Sequence, residues 1–108
     1  MEEQNNEQLI AELKAKYGKI TTVIIPLDED DASKVLTFYF KKPDKLTRSM
    51  INKIAQTSSE RATIKGFEAL KVGGDDIASL QSNDDAMIIA EDALVQILAV
   101  QKAIIKKN

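Results

Sequence analysis

Apolar residues recur every three or four positions near the start of the chain, with Leu9, Leu13 and Tyr17 in line and Ile10 beside them. That spacing predicts a helix over 5–17, capped by Asn5 or Asn6 and stopped by Gly18. The period then drops to two. In KITTVIIPL, Ile20, Thr22 and Ile24 fall on one side, and Thr21, Val23 and Ile25 on the other. Residues branched at Cβ pack well on a pleated surface, so this is a strand. Pro26 has no N–H to give a ladder and marks the strand's end or an edge. After the polar DEDDASK, VLTFYF alternates again, with Leu36, Phe38 and Phe40 opposite Val35, Thr37 and Tyr39. The two segments predict an antiparallel hairpin over 19–41.

Helical spacing then returns. Pro43 suits a helix start, and the stripe Leu46, Met50, Ile54, with Ile51 and Ala55 alongside, predicts a helix over 44–56. TSSE interrupts it, and Ser58 or Ser59 caps a third helix over 59–72. Its buried side carries Ile64, Phe67 and Leu70, Gly66 weakens it, and Gly73–Gly74 end it. Asn83 caps a last helix over 83–106, whose Asp84 and Asp85 at one end and Lys106 and Lys107 at the other complement its dipole. The fold class is therefore α+β: a small antiparallel β-hairpin packed with about four helices, the C-terminal one long. A length of 108 residues suits a single domain over 1–108.

The last helix departs from the usual single stripe. Of the 20 residues from Ala86 to Ile105, 15 are apolar. Met87, Ala90, Leu94, Ile97, Leu98, Ile104 and Ile105 lie broadly on one side, but Ile88, Val95 and Ala99 continue round it. Two readings stand: a central helix buried by its own domain, or a helix covered by another subunit. The second predicts at least a homodimer, with Val95 or Ala99 near the contact. Glu91, Asp92 and Lys102 make the segment a poor membrane span. The acidic start MEEQNNEQLIAELK lacks the basic and apolar regions of a signal peptide.

Composition narrows the chemistry. Apolar residues form 44% of the chain, which suits a folded globule, and a net charge of -2 gives no overall field toward nucleic acid or lipid. There is no cysteine and no histidine. Thiolate nucleophiles, disulfides and zinc–thiolate sites are excluded, together with the usual general base near neutral pH. Asp28, Glu29, Asp30 and Asp31 invite a calcium reading, but a calcium loop counted from Asp28 needs Gly at its sixth position and an acid at its twelfth. Ser33 and Tyr39 stand there, so the run is read as a solvated turn. Gly73–Gly74 follow a helix instead of opening one and match no phosphate-binding pattern. No metal, cofactor or catalytic residue is expected.

One local charge excess remains. From Lys41 to Lys65 seven bases face two acids. Binding of single-stranded nucleic acid also wants exposed aromatics, and Phe38 and Phe40 look like core, so nucleic acid is not the expected partner. A protein partner is, with Lys41, Lys42, Lys45 and Arg48 as its candidate contacts, alongside Val95 and Ala99. The basic segment is expected to matter more for partner choice than for the fold.

LKAKYGKI leading into a hairpin, FYFKKPDKLT leading into a helix, LKVGGDD before a loop, and NDDAMIIAEDALVQILAVQKAIIKK as a long final helix follow one another along nearly the whole chain. In this order they resemble the small tail assembly chaperone-like proteins of tailed bacteriophages and prophages. The resemblance implies a non-enzymatic protein of virion morphogenesis that binds the tape measure protein in the cytoplasm of the bacterial host. Alternatives are a structural or packaged component of the virion and, more weakly, a small nucleic-acid-binding phage regulator.

Overall fold

The computed structural model describes residues 2–99 and 103–107. Helix α1 (Glu2–Tyr17) leads into strands β1 (Ile20–Pro26) and β2 (Val35–Lys41). Helices α2 (Lys45–Ala55) and α3 (Ser59–Leu70), strand β3 (Lys71–Gly74), the short α4 (Ala78–Gln81) and α5 (Asp84–Leu98) follow. The strands form one antiparallel sheet in the order β1-β2-β3. The α+β class with a small antiparallel sheet and a long last helix is as expected. The sheet has three strands where a hairpin was expected, and the described residues hold five helices.

Helix α1 starts at Glu2, so Asn5 and Asn6 lie within it and do not cap it. Glu and Gln are good helix formers, and extending a nucleated helix needs only propagation. The acidic DEDD run earns its place as a turn. Asp28 Oδ1 accepts from the Asp30 N–H at 2.9 Å, and Asp31 Oδ1 accepts from the Ser33 N–H at 3.0 Å and its hydroxyl at 2.6 Å. These are the local turns that short acidic side chains favour. The Leu27 N–H then donates to the Lys34 carbonyl at 2.8 Å and closes the hairpin.

One face of the sheet is buried and the other is covered in part, with Ile24 left 58% exposed on it. Val23, Ile25, Leu36, Phe38 and Phe40 are buried in the main core with Phe67 and Leu70 of α3 and Ala86, Met87, Ala90 and Leu94 of α5. Tyr39 points the other way, where Leu9 and Leu13 of α1 lie beside it over Gly73. Thr63, the buried polar side chain in this region, gives its hydroxyl proton to the Ser59 carbonyl at 2.8 Å and so carries no unmet bond.

Further expected features are corrected. Of the stripe Leu46, Met50, Ile54, Ile54 packs against the core but Leu46 is 83% exposed and Met50 39%, while Ile51, expected alongside, is buried. The helix turns this way because α3 offers Gly66, where an added Cβ would stand 3.2 Å from Ile51 Cδ1 and 2.9 Å from Leu94 Cδ2. Missing a side chain there lets α2 and α5 close on α3. The third helix stops at Leu70, not near residue 72, and Gly73–Gly74 belong to a strand. Beyond them the Thr37 N–H donates to Asp75 Oδ2 at 2.7 Å, and the Asp75 N–H to the Thr37 carbonyl at 2.8 Å, which ties this edge to β2.

The helix predicted over 83–106 begins on its Asn83 cap but ends at Leu98. Residues 103–107 have no regular structure, and the remaining part of that prediction, 100–102, lies outside the described residues. The Leu98 carbonyl accepts a bond from the Arg48 guanidinium. An arginine on α2 thus meets one of the carbonyls that a helix end leaves unpaired. Among the described residues no helix is long and apolar enough to cross a membrane.

Candidate protein-interaction surfaces

Asp44 fixes the start of α2. Its carboxylate accepts from the Thr47 N–H at 2.7 Å and caps the helix. The bonds from the Thr47 N–H and hydroxyl hold the Asp44 carboxyl below its ordinary pKa. Asp31 is lowered in the same way by the Ser33 hydroxyl and N–H. Both shifts come from turn and cap geometry, and neither carboxyl is raised as a buried general acid would be. Among the described residues no three acids converge in a way that could hold a metal ion.

With α2 fixed, its outer side is set by geometry. Residues 46, 50 and 53 recur at helical spacing, so Leu46 and Met50 share a face with Lys53, and Lys45 flanks them. All four are exposed. This is an apolar pair one turn apart with lysines around it.

A second surface lies between β1 and α5. An open cleft of about 770 Å³ is lined by the bases Lys19, Lys42 and Arg48, by the acid Asp92 of α5, and by Ile24 and Ile89. A depression of about 530 Å³ continues from Ile89 to Asp28, Glu29, Asp30 and Asp85. Ile89 lines both, so they lie side by side along β1: the cleft at the start of the strand has three bases against the one acid Asp92, and the depression at its finish has acids alone. Among the described residues the ion pairs are Lys34 with Asp28 and Lys65 with Glu68, and neither includes Lys19 or Lys42.

The predicted contact residues separate accordingly. Lys42, Arg48 and Ala99 come together in the cleft. Lys45 stands on the outer side of α2. Lys41 is half-buried at the end of β2, opposite Ile20. Val95, 68% exposed, is on the outward side of α5 and does not line the groove. Sequence reading missed Lys19, Ile24 and Ile89, because Pro26 allows an edge but nothing local places that edge beside α5. It also missed the exposure of Leu46 and Met50.

Arg48 differs from its basic neighbours because it serves the fold. Replacing it with Met is expected to cost about 1 kcal/mol, the usual worth of a hydrogen bond whose acceptor is left behind. Lys45→Glu is expected to stay within about 0.5 kcal/mol of the parent. Urea titration of the two variants side by side checks this. Equal effects would show that the Arg48–Leu98 bond contributes nothing.

Compared with protein-family models, with curated proteins and with solved structures, the chain matches none.

Proposed function

We propose that this protein is a non-enzymatic assembly factor that holds a client protein against the outer face of α2. The observation that carries this reading is the exposed pair Leu46 and Met50 with Lys45 and Lys53 beside it. A leucine left 83% exposed on a capped, well-packed helix contributes nothing to the fold. Methionine adapts to varied apolar partners. The lysines favour a client that pairs apolar residues with acids, such as one face of an amphipathic helix.

The order of motifs along the chain, which resembles tail assembly chaperones, supplies the client class. In that setting the client is the tape measure protein, and the factor acts in the cytoplasm of the bacterial host while the tail is built. The absence of histidine and cysteine is in keeping with a role that needs no chemistry.

The double variant Leu46→Asp, Met50→Asp tests the surface. Its binding to a purified tape measure protein is expected to weaken at least about tenfold, since a charge placed in a dry contact is costly. Its thermal midpoint is expected to stay close to the parent's, because both side chains already face water. Unchanged affinity in the folded variant would exclude this face. Mass spectrometry of purified particles separates the neighbouring readings: a chaperone is absent from the finished particle, and a packaged component is present.

A further inference from the structure

We infer that the groove along β1 is the contact between two copies of this chain, paired antiparallel along β1 about a two-fold axis to give a continuous sheet. This surface is distinct from the α2 face and does not depend on it.

The phase of the strand comes first. Residues of β1 and β2 face each other in the series Ile20 with Lys41 through Pro26 with Val35, and the Leu27 N–H bonds the Lys34 carbonyl one step beyond. Alternate residues of an antiparallel pair exchange both hydrogen bonds. Thr21, Val23 and Ile25 therefore bond to β2, while Ile20, Thr22 and Ile24 turn their N–H and C=O groups outward. Pro26, with no N–H, falls in the outward row, where its lack costs least. Among the described residues no other element bonds to this row.

The two edges of the sheet are treated differently. β3 is four residues long, has a register shift against β2, and is closed by Asp75. Those are the devices that blunt an edge. β1 is seven residues long, is unbroken against β2, and carries no charge between Ile20 and Pro26. Ile24 stands 58% exposed on it.

Charge then selects the occupant. The groove has three bases against one acid where β1 begins and acids alone where it ends. A two-fold rotation reverses the second strand and sets the basic end of each copy against the acidic end of the other. A surface of this polarity is complementary to itself, which is what a closed two-fold contact requires. A parallel arrangement would set like against like.

The pairing that uses the whole strand puts Thr22 opposite Ile24 of the second copy and Val23 opposite itself. Thr22 and Ile24 then exchange hydrogen bonds in both copies, and the Ile20 N–H meets the Pro26 carbonyl. Lys19 arrives opposite Leu27, next to Asp28. Ala99, at the basic end of the groove, lies near the contact, whereas Val95 lies outside it.

The test is light scattering together with site-directed crosslinking. The parent is expected at twice the chain mass. Ile24→Lys is expected to raise the dimer dissociation constant at least about tenfold with unchanged circular dichroism, because it places a lysine on an edge that must dry. The chain has no cysteine of its own. Thr22→Cys and Ile24→Cys, mixed and oxidised, are expected to crosslink to each other, since directly opposed bonded residues sit about 5.5 Å apart at Cα. Each variant alone is expected to link poorly, its like residues being diagonal at about 7–8 Å. A parent that is monomeric at high micromolar concentration would overturn the inference, as would a dimer indifferent to Ile24→Lys. Efficient linking of either cysteine variant alone would overturn the register. Leu46→Asp, Met50→Asp is expected to remain dimeric, so the failure of one surface is read separately from that of the other.

Discussion

Phe67→Ala is expected to remove about 4 kcal/mol of stability, as buried Phe-to-Ala changes do when the surroundings cannot collapse. Phe67 is fully buried, and it is where helix meets sheet. Its ring stands 4.7 Å from that of Phe40 at 88° and 5.2 Å from that of Phe38 at 80°. Edge-to-face pairs of this kind add about 0.5–1.5 kcal/mol each beyond the area they bury. Phe38 and Phe40 belong to the central strand and are themselves fully buried, so neither can move in to fill the space without breaking the ladder. A domain of this size has about 5–15 kcal/mol in hand, so the variant sits near the edge of folding. Its thermal midpoint is expected to fall by roughly 20 °C, taking about 4–8 °C per kcal/mol. Phe67→Leu keeps most of the volume and is expected to cost less than half as much. A urea midpoint that moves by under about 1.5 kcal/mol for Phe67→Ala would show that the three rings are not the packing centre.

That triad was half legible in the sequence. The alternation in VLTFYF puts Phe38 and Phe40 on one face, and the helical spacing around Phe67 makes it core; that the three rings meet is a fact of topology. The same division runs through the rest of the chain. Ser58 and Asn83 cap α3 and α5 because a side-chain oxygen beside an apolar run is a local signal, readable without a fold. The face of α2 is not local. Leu46, Met50, Ile54 and Thr47, Ile51, Ile54 are both plausible stripes, and the choice is made by Gly66 some fifteen residues on, where α3 has room for Ile51. Strand β3 has one branched residue and two glycines, so its sequence looks like a helix stop. Its pairing with β2 and the reach of Asp75 make it a strand. The end of α5 was hidden because apolar residues continue to Ile105, while the Arg48 bond to Leu98 comes from another helix. The interaction surfaces divide in the same way. The excess of lysines is visible in composition, but a groove with opposite net charges at its ends exists only once β1 becomes an outer strand beside α5.

Gly74→Ala is expected to cost about 3 kcal/mol, and the reason is a clash with backbone, not with a side chain that can turn aside. Gly74 has φ of 102°, a conformation L residues rarely adopt. A Cβ there would lie 2.2 Å from the Thr37 carbonyl oxygen and 2.9 Å from Phe38 Cα. Those atoms belong to the central strand, held on its other side by β1. The strand that yields must be β3, and with it go the paired bonds between Thr37 and Asp75. Gly18 is the natural control. Its φ of 85° is equally unusual, but nothing stands within 4 Å of an added Cβ. Gly18→Ala therefore carries only the conformational cost, about 1 kcal/mol. The difference between the two variants isolates the steric contact. Amide exchange reads it locally: the Thr37 and Asp75 amides are expected to lose protection in Gly74→Ala and keep it in Gly18→Ala. If both variants lose the same stability and neither alters those amides, β3 does not pair where it is placed. The consequence reaches beyond stability. With β3 displaced, the outer row of β2 becomes a second open edge, and each molecule can then add neighbours on both sides of its sheet. Gly74→Ala is accordingly expected to form open-ended aggregates at concentrations where Gly18→Ala stays dispersed.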